Sequence, residues 1–227
     1  MLQHFSKGQE LPLSSESGTA RRVFLIFGSI QPMEASSFDQ LIHRRRSVYP
    51  KDYLPGRVDD AIIRQMLENA DRAPTHKRTE PWRFIVFTGT GLKTLAEFQA
   101  DCYRRVTEAN GTYKEDRYQN LLTKPMESSH IIAIGMKREE AKSLPEWEEL
   151  GAVFCAVENM YLTATAHGVG CYLSTGGVTN FEEAKSFFGL GPDDRLCGFL
   201  HVGLIAEGDG PISKRKPLEE KVRWVTE

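Results

Sequence analysis

The 227-residue sequence has no CxxC pair: its four cysteines, Cys102, Cys155, Cys171 and Cys197, stand apart in apolar segments. That spacing argues against zinc-ribbon and thioredoxin-type motifs, and it fits reduced thiols in a reducing compartment. No apolar run approaches the roughly 18–20 residues of a membrane-spanning helix, so no membrane partner is expected. A dominant charge is missing too, since 29 Lys and Arg stand against 31 Asp and Glu for a formal net charge of −2. Such a balance speaks against a protein that coats nucleic acid, so each basic cluster has to be read locally. Neither GxGxxG nor a GxxxxGK phosphate loop occurs, and the strand, glycine turn, helix order of a doubly wound nucleotide fold is absent. There is no internal repeat.

What is present suffices for one domain: 40% of residues are hydrophobic and 26% charged. The first thirty or so residues differ from the rest, being polar with a short apolar run from Val23 to Ile30. Residues 1–35 are expected to form a disordered extension, with Met33 an alternative start. Organelle targeting by residues 1–32 stays open, although Pro32 and Glu34 interrupt any small-residue cleavage region. The domain is expected over 36–227, in the cytoplasm.

Within that span Phe38, Leu41 and Ile42 follow helical spacing behind Ser36 and Ser37, and this first helix ends near Arg44. Ile62, Ile63, Met66, Leu67 and Ala70 mark a second helix opened by Asp59 or Asp60. Phe84–Phe87 and His130–Gly135 read as buried strands, Leu92–Val106 as a helix, and Trp147–His167 as a long Ala-rich helix buried on most sides. A further strand covers Gly170–Leu173, a helix Phe181–Phe188, and a last strand Leu196–Ile205. The polar stretch Thr107–Ser129 reads either as a solvated helix pair or as a lid over a site. The order predicts an α+β domain with a mixed β-sheet packed between helices.

Four segments carry candidate chemistry. Arg44-Arg45-Arg46-Ser47 joins guanidinium forks to a hydroxyl, a set that matches a phosphate monoester; alone it reads first as a solvated basic helix end. The loop Asp71–Trp82 holds Arg72, His76 and Arg78, which could converge on an anion or on a heterocycle edge. His76 has neither metal-ligand spacing nor a cysteine partner. Gly168–Gly177 pairs glycines at both ends of a short strand, and Gly176-Gly177 would let backbone approach a flat ligand. Last, Lys214-Arg215-Lys216 forms a basic knot, weak by itself because basic tails are common.

Taken in this order, Arg45-Arg46-Ser47, Arg72-Ala73-Pro74 with Glu80-Pro81-Trp82-Arg83-Phe84, Gly168–Gly176 and Arg215–Trp224 resemble the nitroreductase family of flavin reductases. The resemblance spans about Phe38 to Trp224. It implies an interlocked homodimer with FMN at the subunit interface, NAD(P)H as electron donor and a small-molecule acceptor such as a nitroaromatic or quinone, reached by a ping-pong relay. By the same resemblance Arg45, Arg46, Ser47 and Arg215 bind phosphate and ribityl, Arg72 and His76 face the flavin, and Leu173, Ser174, Thr175 and Gly176 line its ring. No catalytic side chain and no metal are implied, because the flavin carries the chemistry. Two departures stand out: Arg78, Thr79 and Glu80 replace the Asn-x-Gln common in the loop, and Tyr49 occupies the position of a frequent lysine. A specialised reductase or dehalogenase of the same fold, and a flavin-binding protein without turnover, are the rival readings.

Overall fold

The computed structural model describes residues 35–208 and 214–227; the disordered extension expected over 1–35 lies outside them except for Ala35. Five α-helices and four strands follow in order: α1 Ala35–Arg44, α2 Asp60–Ala70, β1 Trp82–Thr88, α3 Thr90–Ala109, α4 Glu115–Thr123, β2 His130–Met136, α5 Glu146–Ala166, β3 Val169–Ser174 and β4 Arg195–Leu204. The sheet order is β1-β2-β4-β3. All three ladders are antiparallel. The expected mixed character is confined to one parallel bridge, Ser47 with Cys171.

Chain paths explain that direction. Thr88, which ends β1, pairs with His130, which opens β2, so the α3–α4 excursion leaves and re-enters the sheet at one place. A connection that returns to its starting end pairs its strands antiparallel. The stretch read as lid or helix pair is therefore resolved as the end of α3, the helix α4 and a 3-10 turn at Lys124–Glu127. Tyr113, Tyr118 and Leu121 pack it onto the cluster beneath α3.

Strand alternation sorts the core into two layers. Ile132, Ile134, Met136, Leu200 and Val202 face α2 and α5, whereas Ile131, Ala133, Leu196 and Phe199 face α3 and the Glu182–Phe188 segment. The latter, expected as a helix over Phe181–Phe188, winds as 3-10 turns and ends at Gly189, φ +67°. β2 is buried along its whole length.

Asp59 caps α2 by accepting the Ala61 N–H. The start of α2 is tied to β2, where buried His130 shares Nε2 with Asp60 at 3.0 Å and Nδ1 with Ser129 at 2.9 Å. Gly170 and Gly203 pair across β3 and β4 and form a bed for the Tyr53 ring. A Cβ on Gly203 would come within 2.2 Å of that ring. The Tyr53 hydroxyl then donates to the His201 carbonyl at 3.0 Å. α5 is less enclosed than its composition predicts. One face packs on the sheet and α2, but Trp147, Phe154 and Cys155 are exposed.

Candidate functional site

Of the residues flagged in sequence, Arg45, Arg46 and Ser47 run beside β3, which leads on to Leu173–Gly176, whereas Arg72, His76 and Arg215 lie on other segments. After α1 the chain runs beside the edge of the sheet: Ser47 bridges Cys171, and the Val48 N–H donates to the Cys171 carbonyl at 2.9 Å. That contact sets the cationic segment alongside a strand whose far end is Leu173, Ser174, Thr175 and Gly176.

The arginines divide between two directions. Arg45 is mostly buried; its Nε lies 3.5 Å from Glu158 and its guanidinium carbon 5.4 Å from the centre of the Tyr161 ring. Burial raises the pKa of the Tyr161 phenol, with nearby Ser47 and Arg45 opposing the rise. Arg46 turns instead, with Arg44, to a cavity of about 320 Å³ that Thr165, Val169, Glu207 and Gly208 also line. Arg45 thus packs on α5, while Arg44 and Arg46 line the cavity.

At the other end of β3 the strand runs from buried to open. The Leu173 N–H donates to the Tyr161 hydroxyl at 2.7 Å. The Ser174 hydroxyl lies 3.3 Å from His201 Nε2, whose Nδ1 is 3.0 Å from the Ser128 hydroxyl. Burial pushes the His201 imidazole down to about 4, so near neutral pH it is uncharged and can act as both donor and acceptor. Thr175 and Gly176 are exposed, and a Cβ placed on Gly176 would meet nothing within 4 Å. This ledge leaves room for a flat ligand to lie against backbone.

The loop before β1 carries Arg72, exposed, and His76, whose Nδ1 lies 2.6 Å from Glu148. Lys77, Arg78 and Glu80 all have positive φ, between +43° and +57°. Such backbone is costly for residues with a Cβ, and its clustering marks a loop held by its surroundings. Thr75 contributes by accepting the Glu80 N–H at 3.2 Å. The Tyr49 and Tyr172 rings meet at a 37° tilt with centres 4.6 Å apart. Arg215 lies exposed on the C-terminal segment, beyond residues 209–213. Among the described residues no three His, Cys, Asp or Glu side chains come together as a metal site, and no helix is long and apolar enough to cross a membrane.

Sequence reasoning passed over Tyr161 and His201. The one signal for Tyr161 was a hydroxyl-bearing ring in an Ala-rich helix; for His201 it was a histidine inside an apolar strand. Each is equally the mark of an ordinary core residue.

The fold defines a class first: one antiparallel sheet with helices on both faces, a nitroreductase-like α+β domain. Comparison with known proteins agrees. The family model described as the nitroreductase family matches residues 42–204. The protein YdjA of Escherichia coli (strain K12), provisionally named an NAD(P)H nitroreductase, is 31% identical over 142 residues, which cover 62% of this chain and 74% of YdjA. Among solved structures, the nitroreductase-like family protein from Bacillus cereus aligns with a TM-score of 0.71 at 23% identity, over 87% of this chain and 99% of that one. The FMN-dependent nitroreductase NfnB from Mycobacterium smegmatis, solved in complex with NADPH, gives a TM-score of 0.64 at 19% identity, over 85% and 99% of the two chains. The chain belongs to the nitroreductase family and is an oxidoreductase.

Proposed function

We propose that the chain is an FMN-dependent reductase that draws on NAD(P)H and delivers reducing equivalents to an electron-poor small molecule, a nitroaromatic or quinone, by a ping-pong sequence. The observation that carries this reading is the bridge between Ser47 and Cys171. It lays a guanidinium and hydroxyl segment along a strand that ends in an open glycine, the polarity that a phosphorylated, planar ligand requires. NfnB, whose structure contains NADPH and whose name includes FMN, supports the same reading.

In this proposal Arg45 and Ser47 hold the phosphate, with Arg46 and Arg215 adding charge and ribityl contacts. Leu173, Ser174, Thr175 and Gly176 line the ring, and Arg72 and His76 face it. The open space at Gly176 fits such a ring, and the positive charge of the Arg45 segment fits a dianion. When bound, the flavin supplies two-electron hydride chemistry to both half-reactions. The protein's residues then bind, orient and exclude water.

An interlocked homodimer completes the proposal. Phe38 and Ile42 on α1, Trp147 and Phe154 on α5, and Leu218 and Trp224 on the C-terminal segment are large apolar side chains left exposed on one copy. These exposed apolar side chains support the reading of an interaction surface. The unpaired cysteines accord with a cytoplasmic setting.

The test is an anaerobic absorbance spectrum of purified protein with FMN, before and after a reduced nicotinamide. The expected result is a flavin spectrum that bleaches and is restored by a nitroaromatic or quinone. Protein that takes up no FMN ends the proposal, and double-reciprocal lines that intersect rather than run parallel end its ping-pong part.

A further inference from the structure

β3 ends in a residue whose side chain is tied to the neighbouring strand. Tyr172 pairs with His201 and Ser174 with Phe199, and strand alternation sets all four side chains on one face of the sheet. The Ser174 hydroxyl therefore stands diagonal to the His201 ring, 3.3 Å from Nε2, while Nδ1 lies 3.0 Å from the hydroxyl of Ser128, at the end of the turn before β2. The backbone around Ser174 is held independently. Gly198 carries no Cβ where one would come within 2.7 Å of the Ser174 carbonyl, and the Thr179 hydroxyl donates to the Thr175 carbonyl at 2.8 Å.

What remains to be set is the direction of the Ser174 O–H, and the proton count sets it. The Phe199 carbonyl, 3.4 Å from the Ser174 oxygen, only accepts, so it takes the single hydroxyl proton. His201 Nε2 must then bring its own hydrogen to that oxygen. An uncharged imidazole has one N–H, so Nδ1 is left as an acceptor and the Ser128 hydroxyl donates to it. Every donor in the chain points the same way, from Ser128 through His201 to Ser174. Its last bond is long for an O–H···O contact, and the proton it holds is the one a ligand on the ledge draws away.

On the flavin reading given above, on which this rests, we propose that His201 is a positioning residue: backed by Ser128, it holds the Ser174 oxygen so that the hydroxyl proton is presented as a donor to an acceptor atom of the ring. A ring carbonyl oxygen or nitrogen gains negative charge on reduction, so a donor there favours the reduced form. The reversed tautomer would take the Ser174 proton on Nε2 and leave the ledge without this donor.

The full chain labelled with 15N tests the proton placement before any cofactor is added. At pH 7 the His201 imidazole should carry its hydrogen on Nε2, and a hydrogen on Nδ1 overturns the inference. The second measurement is the reduction potential of bound FMN, which reports how much more tightly the reduced form is held than the oxidised one. Ser174→Ala should lower that ratio about tenfold, equivalent to about 30 mV for a two-electron couple. His201→Asn, whose amide reaches only toward Ser128, should lower it similarly, whereas His201→Gln, whose amide reaches the Nε2 position, should restore most of it. In the Ser174→Ala background His201→Asn should add little, because it acts through that hydroxyl. An unchanged potential in Ser174→Ala overturns the inference while leaving the flavin reading intact, and so do equal losses in the Asn and Gln variants or strict additivity with Ser174→Ala. Wild-type protein that takes up no FMN overturns the flavin reading and the inference with it. Should the His201 variants not fold, the wild-type tautomer and the Ser174→Ala potential decide.

Discussion

Replacing Arg45 by methionine separates what this side chain does for the fold from what it does for the ligand. Its contacts within the protein are two: Glu158, 3.5 Å away and half exposed, and the Tyr161 ring at 5.4 Å. An ion pair with one solvent-facing partner contributes about 0–1 kcal/mol, and a guanidinium over a mostly buried ring about 1–2 kcal/mol. Methionine retains much of the buried stem. The apoprotein should therefore lose about 1–3 kcal/mol, read as a lower urea midpoint at unchanged slope. A charge-assisted bond to phosphate is worth about 1.5–3 kcal/mol, so FMN should bind roughly 10–150-fold more weakly. Riboflavin, which lacks the phosphate, should bind nearly as before. Equal losses for the two flavins would refute the phosphate role. A stability loss above about 3 kcal/mol with unchanged FMN binding would make Arg45 a structural cation instead.

Three further outcomes test the surroundings of the site. Glu149 is fully buried and accepts from Arg138 and from the Glu139 N–H, clamping the exit of β2 onto the start of α5 beside Glu148 and His76. Arg138→Met should destabilise by about 3–5 kcal/mol and Arg138→Met with Glu149→Leu by clearly less, because the single change strands a buried carboxylate; urea unfolding of both decides it. His201 is held from its ordinary 6.5 down to about 4 by burial. In that window the unfolded chain takes up the proton first, so stability is intact above pH 6.5 and falls as pH drops through 4, by about 3 kcal/mol in all. Thermal melts of wild type and His201→Asn between pH 7 and 4 should show a shallower decline in the variant, and parallel curves would contradict the assignment. Lys77 sits at φ +52°. Lys77→Gly should raise stability by about 0.5 kcal/mol, as relief of the left-handed backbone outweighs the added freedom of the unfolded chain; a lowered urea midpoint would show that the loop does not strain Lys77.

The segment proposed to hold phosphate could be singled out in the sequence because phosphate chemistry would leave a composition trace. Arg45, Arg46 and Ser47 are the residue types a dianion needs, and they are adjacent in the chain. Strand positions were legible as well, since buried apolar runs such as His130–Gly135 have few alternatives. Pair direction was not, because it depends on where a long helical excursion returns to the sheet, and the meeting of Thr88 with His130 decided it. Nor did the Glu182–Phe188 pattern tell α from 3-10 winding, which share apolar spacing over so short a span.

By itself the sequence determined the two-layer core, the basic segment and the paired glycines, because burial and charge are properties of residue type. Only the tertiary structure decided that Arg45 packs on α5 while Arg46 lines the cavity, and that the Leu173 N–H finds the Tyr161 hydroxyl. Those facts depend on which strand edge the chain leaves open and which helix supplies a hydroxyl to it. Arg45 and Tyr161 lie far apart in the chain, and nothing local in the sequence encodes their encounter.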